Sequence, residues 1–355
     1  MVRRTAWVML LVLTLGVIAA AGCGGGGGGA EGTTGAQTAG GEAQPPAQPV
    51  KIRMGWGIPA EEVKYVMMED PQIAPNLGTW YDIEWHQFAG TALGVQGLAA
   101  GTLDCATVGG LSSANGFEQG ADFVLTGEII EEATPPQDFS TTWLALKSSG
   151  IKTLDDIKGK TVATSAIGGS TDYLQDFYIQ DQTGMKPGVD YKKVEIPFSQ
   201  QQEALLAGRI DVGIFPQPFW GAVTAKADTQ QLFRVTDVVN PFVQLLNGCR
   251  RDFIQQHPDA MKKFIEDWVT VTNWLRDPAN RDTVIGITSK VMQIPRDVLE
   301  TYLLTSKDYL RPENGAIDRE ALQNEWDFFQ QRGGIKTNLK VDDYIMADYS
   351  AGSSG

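Results

Sequence analysis

The sequence predicts an α/β protein of two lobes, each a mostly parallel β-sheet flanked by helices, with a helical C-terminal tail. The first observation is an internal repeat, in which Ala99-Ala100-Gly101-Thr102-Leu103-Asp104 is echoed by Leu206-Ala207-Gly208-Arg209-Ile210-Asp211. Each copy ends a helix, turns at a glycine and leads into a short apolar strand. The second is the alternation of strand and helix patterns with short connections, which favours parallel sheets covered by helices.

The first lobe is expected to begin at residue 50. Its strands are predicted where apolar and polar residues alternate or where a short run is wholly apolar. These segments are 50–55, 81–87, 105–109, 121–127 and 141–147. The last of them crosses to the second lobe, and helices are expected near 60–68 and from 91 to 100.

The second lobe begins with Leu154-Asp155-Asp156-Ile157-Lys158-Gly159-Lys160, which leads into a strand. A return strand is expected at 242–246, and from His257 onward the apolar spacing is helical. The predicted domain limits are 50–143 with 245–350 for lobe 1, and 144–244 for lobe 2.

The N-terminus has a charged start at Arg3-Arg4, an apolar run from Ala6 to Ala21 and then Cys23. This arrangement resembles a bacterial lipoprotein signal peptide over residues 1–22, which implies that Cys23 is lipidated. A single transmembrane anchor is the alternative, although the run is short for a span of about 20 residues. Residues 23–49 are rich in glycine and predict a flexible tether, which places the protein on the outer face of the cell membrane.

Composition limits the partners. The net charge of -14 and the pI of about 4.6 argue against nucleic acid as a partner and favour a soluble monomer.

Beyond Cys23 the chain has two cysteines, Cys105 and Cys249, both in predicted strands. Either they form a disulfide, which an exported protein permits, or they are separately buried thiols.

Signatures of catalysis and metal binding are not found in the sequence. The two histidines, His86 and His257, lack the spacing of paired metal ligands, and no Gly-x-Ser-x-Gly elbow occurs. We therefore predict no catalytic residues, no metal and no cofactor, and a protein that is not an enzyme.

The repeat, the Leu-x-Asp-Ile-Lys-Gly-Lys-x-Val-Ala segment at 154–163 and the helical tail together resemble the substrate-binding proteins of ABC importers. The resemblance covers about residues 50–345 and is to the branch that handles nitrate, sulfonates, taurine and thiamine-pyrimidine precursors. It implies the type II periplasmic binding protein fold, a ligand cleft between the lobes, and an ABC permease with its ATPase as partners. The alternatives are a pyrimidine-precursor synthase-like enzyme on the same fold, which needs a reactive histidine, cysteine or metal cluster in the cleft, and a ligand-sensing ectodomain.

Candidate ligand-binding residues follow the carboxyl ends of predicted strands, where open α/β sheets bind ligands. They are Trp56, Gln87, Phe88, Thr91, Leu111, Ser112, Glu128, Gly169, Ser170, Thr171, Gln217 and Phe219. For three of them a purely structural role is the alternative to ligand binding. Trp56 could pack at the cleft edge, Thr91 could be an ordinary helix cap, and Glu128 could be a solvated charge.

The two loops after the repeat strands, 110–113 and 216–219, are expected to face each other across the cleft. Asp104 and Asp211 lie at the opposite strand ends and are expected to cap turns. The candidate loops contain aromatic residues but no Arg or Lys. A planar or largely apolar organic ligand is therefore preferred over an inorganic anion, with sulfonate, nitrate, aromatic carboxylate, pyrimidine and flavin all left open.

Overall fold

The computed structural model describes residues 44–57, 59–88, 90–132 and 135–352. The predicted signal peptide, Cys23 and the tether as far as residue 43 lie outside these residues. Within the described ranges, no helix is both long enough and apolar enough to cross a bilayer.

Strands and helices alternate through the first two thirds of the described chain, and helices dominate the last third. The strands are β1 (Val50–Trp56), β2 (Tyr81–Gln87), β3 (Cys105–Val108), β4 (Phe123–Glu132), β5 (Thr142–Leu146), β6 (Thr161–Thr164), β7 (Lys192–Glu195), β8 (Val212–Phe215), β9 (Thr229–Arg234) and β10 (Phe242–Arg250). The α-helices are α1 (Glu62–Glu69), α2 (Thr91–Ala99), α3 (Gly110–Glu118), α4 (Ser170–Thr183), α5 (Phe198–Leu206), α6 (Phe219–Thr224), α7 (Arg251–Gln256), α8 (Pro258–Arg276), α9 (Arg281–Met292), α10 (Arg296–Glu300) and α11 (Arg319–Gln331).

The strands form two five-stranded sheets, in the orders β2-β1-β3-β10-β4 and β7-β6-β8-β5-β9. One strand in each sheet runs antiparallel to both of its neighbours: β10 beside β3 and β4, and β5 beside β8 and β9. Each reversed strand is the first one formed after the chain has crossed from the other sheet. The predicted mostly parallel sheets are thus mixed sheets, in which the other four strands share one direction.

We call the part built on the first sheet lobe 1 and the part built on the second sheet lobe 2. The chain passes to lobe 2 between Glu132 and Thr142 and returns between Arg234 and Phe242. The domain limits at 143/144 and 244/245 remain predictions.

Helices cover both faces of the lobe 1 sheet. On one face, α8 buries Phe264, Trp268, Val271 and Leu275, the apolar residues whose spacing predicted a helix. The Phe264 ring meets Tyr81 of β2 edge-on, with ring centroids 5.6 Å apart. On the other face α2, α3 and α11 pack against β3 and β10. The helical tail is therefore part of the lobe 1 core.

The aspartates of the repeat make the same pair of bonds in both lobes. Asp104 Oδ2 accepts the Arg53 N–H at 2.9 Å, and the Asp104 N–H donates to Arg53 O at 2.9 Å. In lobe 2, Asp211 Oδ2 accepts the Thr161 N–H and the Asp211 N–H donates to Thr161 O, both at 2.8 Å. Both carboxylates thus tie the start of a strand to the neighbouring strand, which is a structural role.

Cys105 and Cys249 form a disulfide. They are opposite each other in β3 and β10 and are completely buried. Of the two possibilities that the sequence left open, the structure shows the bonded one.

Candidate ligand-binding site

A cavity of about 750 Å³ lies between the lobes, along the flanks of α2 and α3 and at the start of α4, and reaches Arg250 beyond the far ends of α2 and α3. Thr91 starts α2 and Ser112 lies in the first turn of α3, both in lobe 1. Gly169 and Ser170 start α4 in lobe 2. All four line the cavity, so the structure brings together four of the predicted ligand residues, two from each lobe.

Local sequence explains why polar groups collect there. Gly90 adopts a positive φ of 101° before α2, a backbone conformation that glycine allows at little cost. Ser112 Oγ accepts the Gly109 N–H at 2.9 Å, which pairs a backbone donor beside the first turn of α3. The first four N–H groups of a helix have no partner within the helix, so each helix start offers donors to a bound molecule. The cavity is suited to a ligand with acceptor groups.

Two other candidates from the same strand ends are used in packing. The Phe88 ring is so close to β1 that a Cβ at Gly55 would lie 2.5 Å from Phe88 Cε1. Leu111 is 1% exposed and belongs to the core under α3. Leu111 thus faces the lobe 1 interior, and the half-buried Phe88 ring packs against the same core.

Glu128 also lies inside lobe 1, contrary to the alternative of a solvated charge. It is 1% exposed, and its Oε2 accepts the N–H of Asp318, the residue that precedes α11, at 2.9 Å. Burial raises the pKa of Glu128 well above its usual range. Glu128 thus anchors the start of the C-terminal helix, a role that local sequence does not reveal.

The loop after the second repeat strand is hydrogen-bonded to the C-terminal part of the chain, and its position opposite the first repeat loop stays a prediction. The Gln217 N–H donates to Tyr309 Oη at 3.1 Å, and Gln217 Nε2 donates to Lys307 O at 3.3 Å. The Phe219 ring stacks with Phe198 within lobe 2. This loop is held by the segment that follows α10, and α4 lies beside α3 at the cavity.

The remaining candidates do not line the cavity. Trp56 is half-buried at the end of β1, with its ring edge-on to Tyr65 at 6.0 Å. Thr171 is mostly buried in the first turn of α4, 3.4 Å from Ser165 Oγ. Gln87 is exposed and lines a separate shallow groove beside Leu93. Two aromatic residues near the same strand ends, Trp143 and Phe215, are completely buried in lobe 2.

A buried ionic cluster under the Trp56 loop was missed in the sequence. Lys64 Nζ donates to Gly55 O at 3.0 Å, hydrogen-bonds to Thr107 Oγ1 and pairs with Glu61 Oε2 at 3.2 Å. Glu61 Oε1 accepts the Gly57 N–H at 3.1 Å. Burial lowers the pKa of Lys64. The cluster fixes the backbone on both sides of Trp56, and only the three-residue spacing of Glu61 and Lys64 hinted at a pair.

The lobes also meet through α4 and α11. Arg332, directly after α11, makes a two-pronged ion pair with Asp181 of α4, with Nη1 to Oδ1 at 2.7 Å and Nη2 to Oδ2 at 2.5 Å. The guanidinium lies 5.8 Å from the centre of the Phe177 ring and 5.5 Å from that of Phe328. These contacts hold lobe 2 against the C-terminal helix on the side of the cleft where α3 and α4 meet.

Glu132 lies where the chain leaves lobe 1. Its Oε2 accepts from Ser140 Oγ at 2.7 Å and from the Thr141 N–H at 2.9 Å, and its Oε1 accepts from Thr141 Oγ1 at 2.7 Å. Burial raises the pKa of Glu132 to about 7, although the hydrogen bonds from Thr141 and Ser140 oppose the rise. The crossing between the lobes therefore contains a carboxyl group that titrates near neutral pH.

Glu132 makes the free energy of unfolding depend on pH. The pKa of Glu132 is 4.5 in the unfolded chain and about 7 in the folded protein. Between these pH values the Glu132 carboxyl group is therefore protonated in the folded protein and ionised in the unfolded chain. The contribution of Glu132 to the free energy of unfolding is therefore present below pH 4.5 and is lost as the pH rises to 7. The slope reaches about 1.4 kcal/mol per pH unit.

Denaturant unfolding of the wild type and of Glu132→Gln at pH 5 and pH 8 measures this dependence. The variant should lose less stability than the wild type between the two pH values. Equal losses would show that Glu132 titrates at its ordinary pKa in the folded protein.

The part of the chain that the structure describes contains no group of three or more His, Cys, Asp or Glu side chains arranged to hold a metal ion. His86 Nε2 lies 3.1 Å from Glu84 Oε1 on β2, and His257 lies between α7 and α8.

A family model described as NMT1/THI5 like matches residues 82–274, which is more than half of the chain. The chain belongs to the NMT1/THI5-like family. The matched region runs from β2 through α8 and includes both repeat strands and the helix starts that line the cavity.

Relatives of this NMT1/THI5-like protein include a protein of Escherichia coli (strain K12) named for binding aliphatic sulfonates. It is 23% identical over 262 residues, which cover 72% of this chain and 76% of the relative. Among solved structures, the alkanesulfonate-binding protein SsuA from Xanthomonas axonopodis pv. citri, bound to MOPS, is 17% identical with a TM-score of 0.66. That comparison covers 85% of this chain and 99% of the other.

The periplasmic nitrate-binding protein NrtA from Synechocystis PCC 6803 has the same architecture. It is 12% identical with a TM-score of 0.62, over 83% of this chain and 84% of its own. The resemblance to the nitrate and sulfonate branch of substrate-binding proteins is thus confirmed, as is the type II periplasmic binding fold.

Proposed function

We propose that this protein is an extracytoplasmic solute-binding protein that captures a small organic ligand between its lobes and delivers it to an ABC importer. The observation that carries the proposal is the cavity shared by Thr91 and Ser112 of lobe 1 with Gly169 and Ser170 of lobe 2. The names of the relatives, which refer to sulfonate and nitrate binding, support it.

The mechanism we infer is closure of the lobes around the ligand. A ligand that contacts both lobes binds the closed arrangement better than the open one, and so shifts the population toward it. The helix starts supply backbone N–H donors, and the hydroxyl groups of Thr91, Ser112 and Ser170 can donate or accept. In this proposal the Arg332–Asp181 pair forms when the lobes close.

The ligand residues of the proposal are Thr91, Ser112, Gly169 and Ser170, while Trp56, which does not line the cavity, stays a prediction. Since Trp143, Phe215 and Phe88 are used in packing, the preference for a planar or largely apolar ligand loses most of its support. We retain a small organic molecule as the ligand class.

The partners we propose are an ABC permease and its ATPase, which supply the energy for transport as separate chains. Lipidation at Cys23 would hold a monomeric binding protein on the outer face of the membrane, within reach of the permease. Mass spectrometry of the mature protein should find a diacylglycerol-modified Cys23 as the first residue, and an unmodified N-terminus would contradict the anchor.

A solute panel tests the proposed function. Sulfonates, nitrate, aromatic carboxylates, pyrimidines and flavins are added to the folded protein, and the unfolding temperature is recorded. A ligand at a hundredfold excess over its Kd adds about 2.7 kcal/mol to the free energy of unfolding, so a true ligand raises the unfolding temperature clearly. Recovery of the bound ligand unchanged supports transport, whereas its chemical conversion would support the synthase-like alternative.

Variants that fill the cavity locate the site. Ser170→Phe in lobe 2 and Thr91→Phe in lobe 1 should each weaken the affinity for the solute found in the panel by at least about tenfold, or about 1.4 kcal/mol. The matched control is Ser199→Phe, an exposed position in the first turn of α5 that does not line the cavity. Full affinity in both cavity variants would move the ligand site elsewhere.

A further inference from the structure

The carboxyl group of Glu325 lies against the start of α3. Glu325 is on α11 and is completely buried, with 0% exposure. Its Oε1 is so close to Gly110 that a Cβ at that position would overlap it. Trp326, the next residue, donates its Nε1–H to Gly110 O at 3.0 Å and fixes α11 over the first turn of α3. Glycine at position 110 is therefore what leaves room for this carboxyl group.

This carboxyl group has an unusual set of neighbours. Its oxygens face the backbone N–H groups of Leu111 and Val243, but neither oxygen makes a well-formed hydrogen bond, and no described side chain is bonded to them. Burial raises the pKa of Glu325 well above its usual range. A buried carboxyl group without a partner side chain is costly to keep, so its retention over the helix start needs an explanation.

The start of α3 is a place where an anion would otherwise be stabilised. The free N–H groups and the partial positive charge at a helix N-terminus attract anions. Ser112, in the same turn as Leu111, lines the cavity between the lobes. Glu325 thus lies over the start of a helix whose flank lines the cavity.

We infer that Glu325 is a specificity-determining residue, whose side chain occupies the anion-binding end of α3. It thereby weakens the binding of small anions, such as sulfonates and nitrate, in the cleft. When ionised, the carboxylate repels an anion in the cavity. When protonated, it still fills the space and presents an O–H donor or an acceptor to its surroundings. The cleft is thereby directed to neutral solutes or to solutes that carry hydrogen-bond donors. This inference rests on the proposed function, since it assumes that solutes bind in the cavity.

Titration calorimetry with methanesulfonate and nitrate tests it on the full-length protein. Glu325→Gln keeps the size of the side chain and removes the charge, and Glu325→Ala also opens the space over Gly110. The matched control is Glu320→Gln, an exposed carboxylate in the first turn of the same helix. At least one Glu325 variant should bind one of the two anions at least about tenfold more tightly than the wild type, and the control should equal the wild type.

Glu325→Ser, which also removes the carboxyl group and shortens the side chain, provides the answer if the Ala variant fails to fold. Anion affinities that are the same in the wild type and in the folded Glu325 variants would overturn the inference, and so would tight anion binding by the wild type. Failure of the proposed function looks different, since the wild type would then bind no solute of the wider panel, including its neutral members.

Discussion

Loss of the Cys105–Cys249 disulfide is expected to lower the free energy of unfolding by about 2–5 kcal/mol. The bond joins residues that are 144 apart in sequence, and the whole of lobe 2 lies within the loop that it closes. It links β3 to β10, so it fixes the point at which the returning chain re-enters the lobe 1 sheet. Without it, the unfolded chain gains the freedom of a long open loop, which favours unfolding.

Denaturant unfolding with and without a reductant measures this effect, and the Cys105→Ala/Cys249→Ala double variant serves as its permanent counterpart. Both the reduced wild type and the double variant should unfold at lower denaturant concentration than the oxidised wild type. The same midpoint for oxidised and reduced protein would show that the bond does not stabilise the fold. Peptide mapping without reduction identifies the linked pair.

Replacing Arg311 by Met is expected to lower the free energy of unfolding by about 3–5 kcal/mol. The Arg311 guanidinium is 5% exposed and binds two buried carboxylates, with Nη2 to Glu62 Oε2 at 2.7 Å and Nη1 to Asp308 Oδ2 at 2.7 Å. The cluster joins α1 to the segment after α10. Its removal leaves both carboxylates buried without a cation, and they can relax only by taking up protons.

The loss should therefore grow as the pH rises, because burial raises the pKa of Asp308, and without the cation its ionisation in the folded variant becomes more costly. The matched control is Arg319→Met, which breaks the exposed pair between Arg319 and Asp342 and should cost less than about 1 kcal/mol. The free energies of unfolding of the wild type and both variants are measured at pH 5 and pH 8. Equal losses of stability in Arg311→Met and Arg319→Met would contradict a stabilising role of the buried cluster.

Local pattern was sufficient to predict the architecture. The repeat at Asp104 and Asp211 and the alternation in 50–55 and 81–87 identified strands that the structure contains, because a half-buried strand must alternate. The spacing of apolar residues in 257–276 likewise identified α8. The reversed direction of β5 and β10 was not predicted, since strand direction depends on how the chain crosses between the sheets and leaves no local pattern.

The site was only partly predictable, for the same reason. Small and hydroxyl residues at helix starts singled out Thr91, Ser112, Gly169 and Ser170, and the structure places all four at one cavity; their role in binding stays a prediction. The contacts of Gln217 could not be predicted, because they depend on Tyr309, 92 residues later in the chain. Glu325 was missed entirely, since its contact with Gly110 joins the C-terminal helix to a turn about two hundred residues earlier. Such partners become visible only when the tertiary fold is known.

The central claim is that one ligand is held between the lobes by the starts of α2, α3 and α4. The most direct test is a crystal structure of the protein with the solute that most raises its unfolding temperature. We predict that this single molecule contacts Thr91 or Ser112 in lobe 1 and also Gly169 or Ser170 in lobe 2. A ligand that contacts one lobe only, or that lies outside this cavity, would contradict the claim.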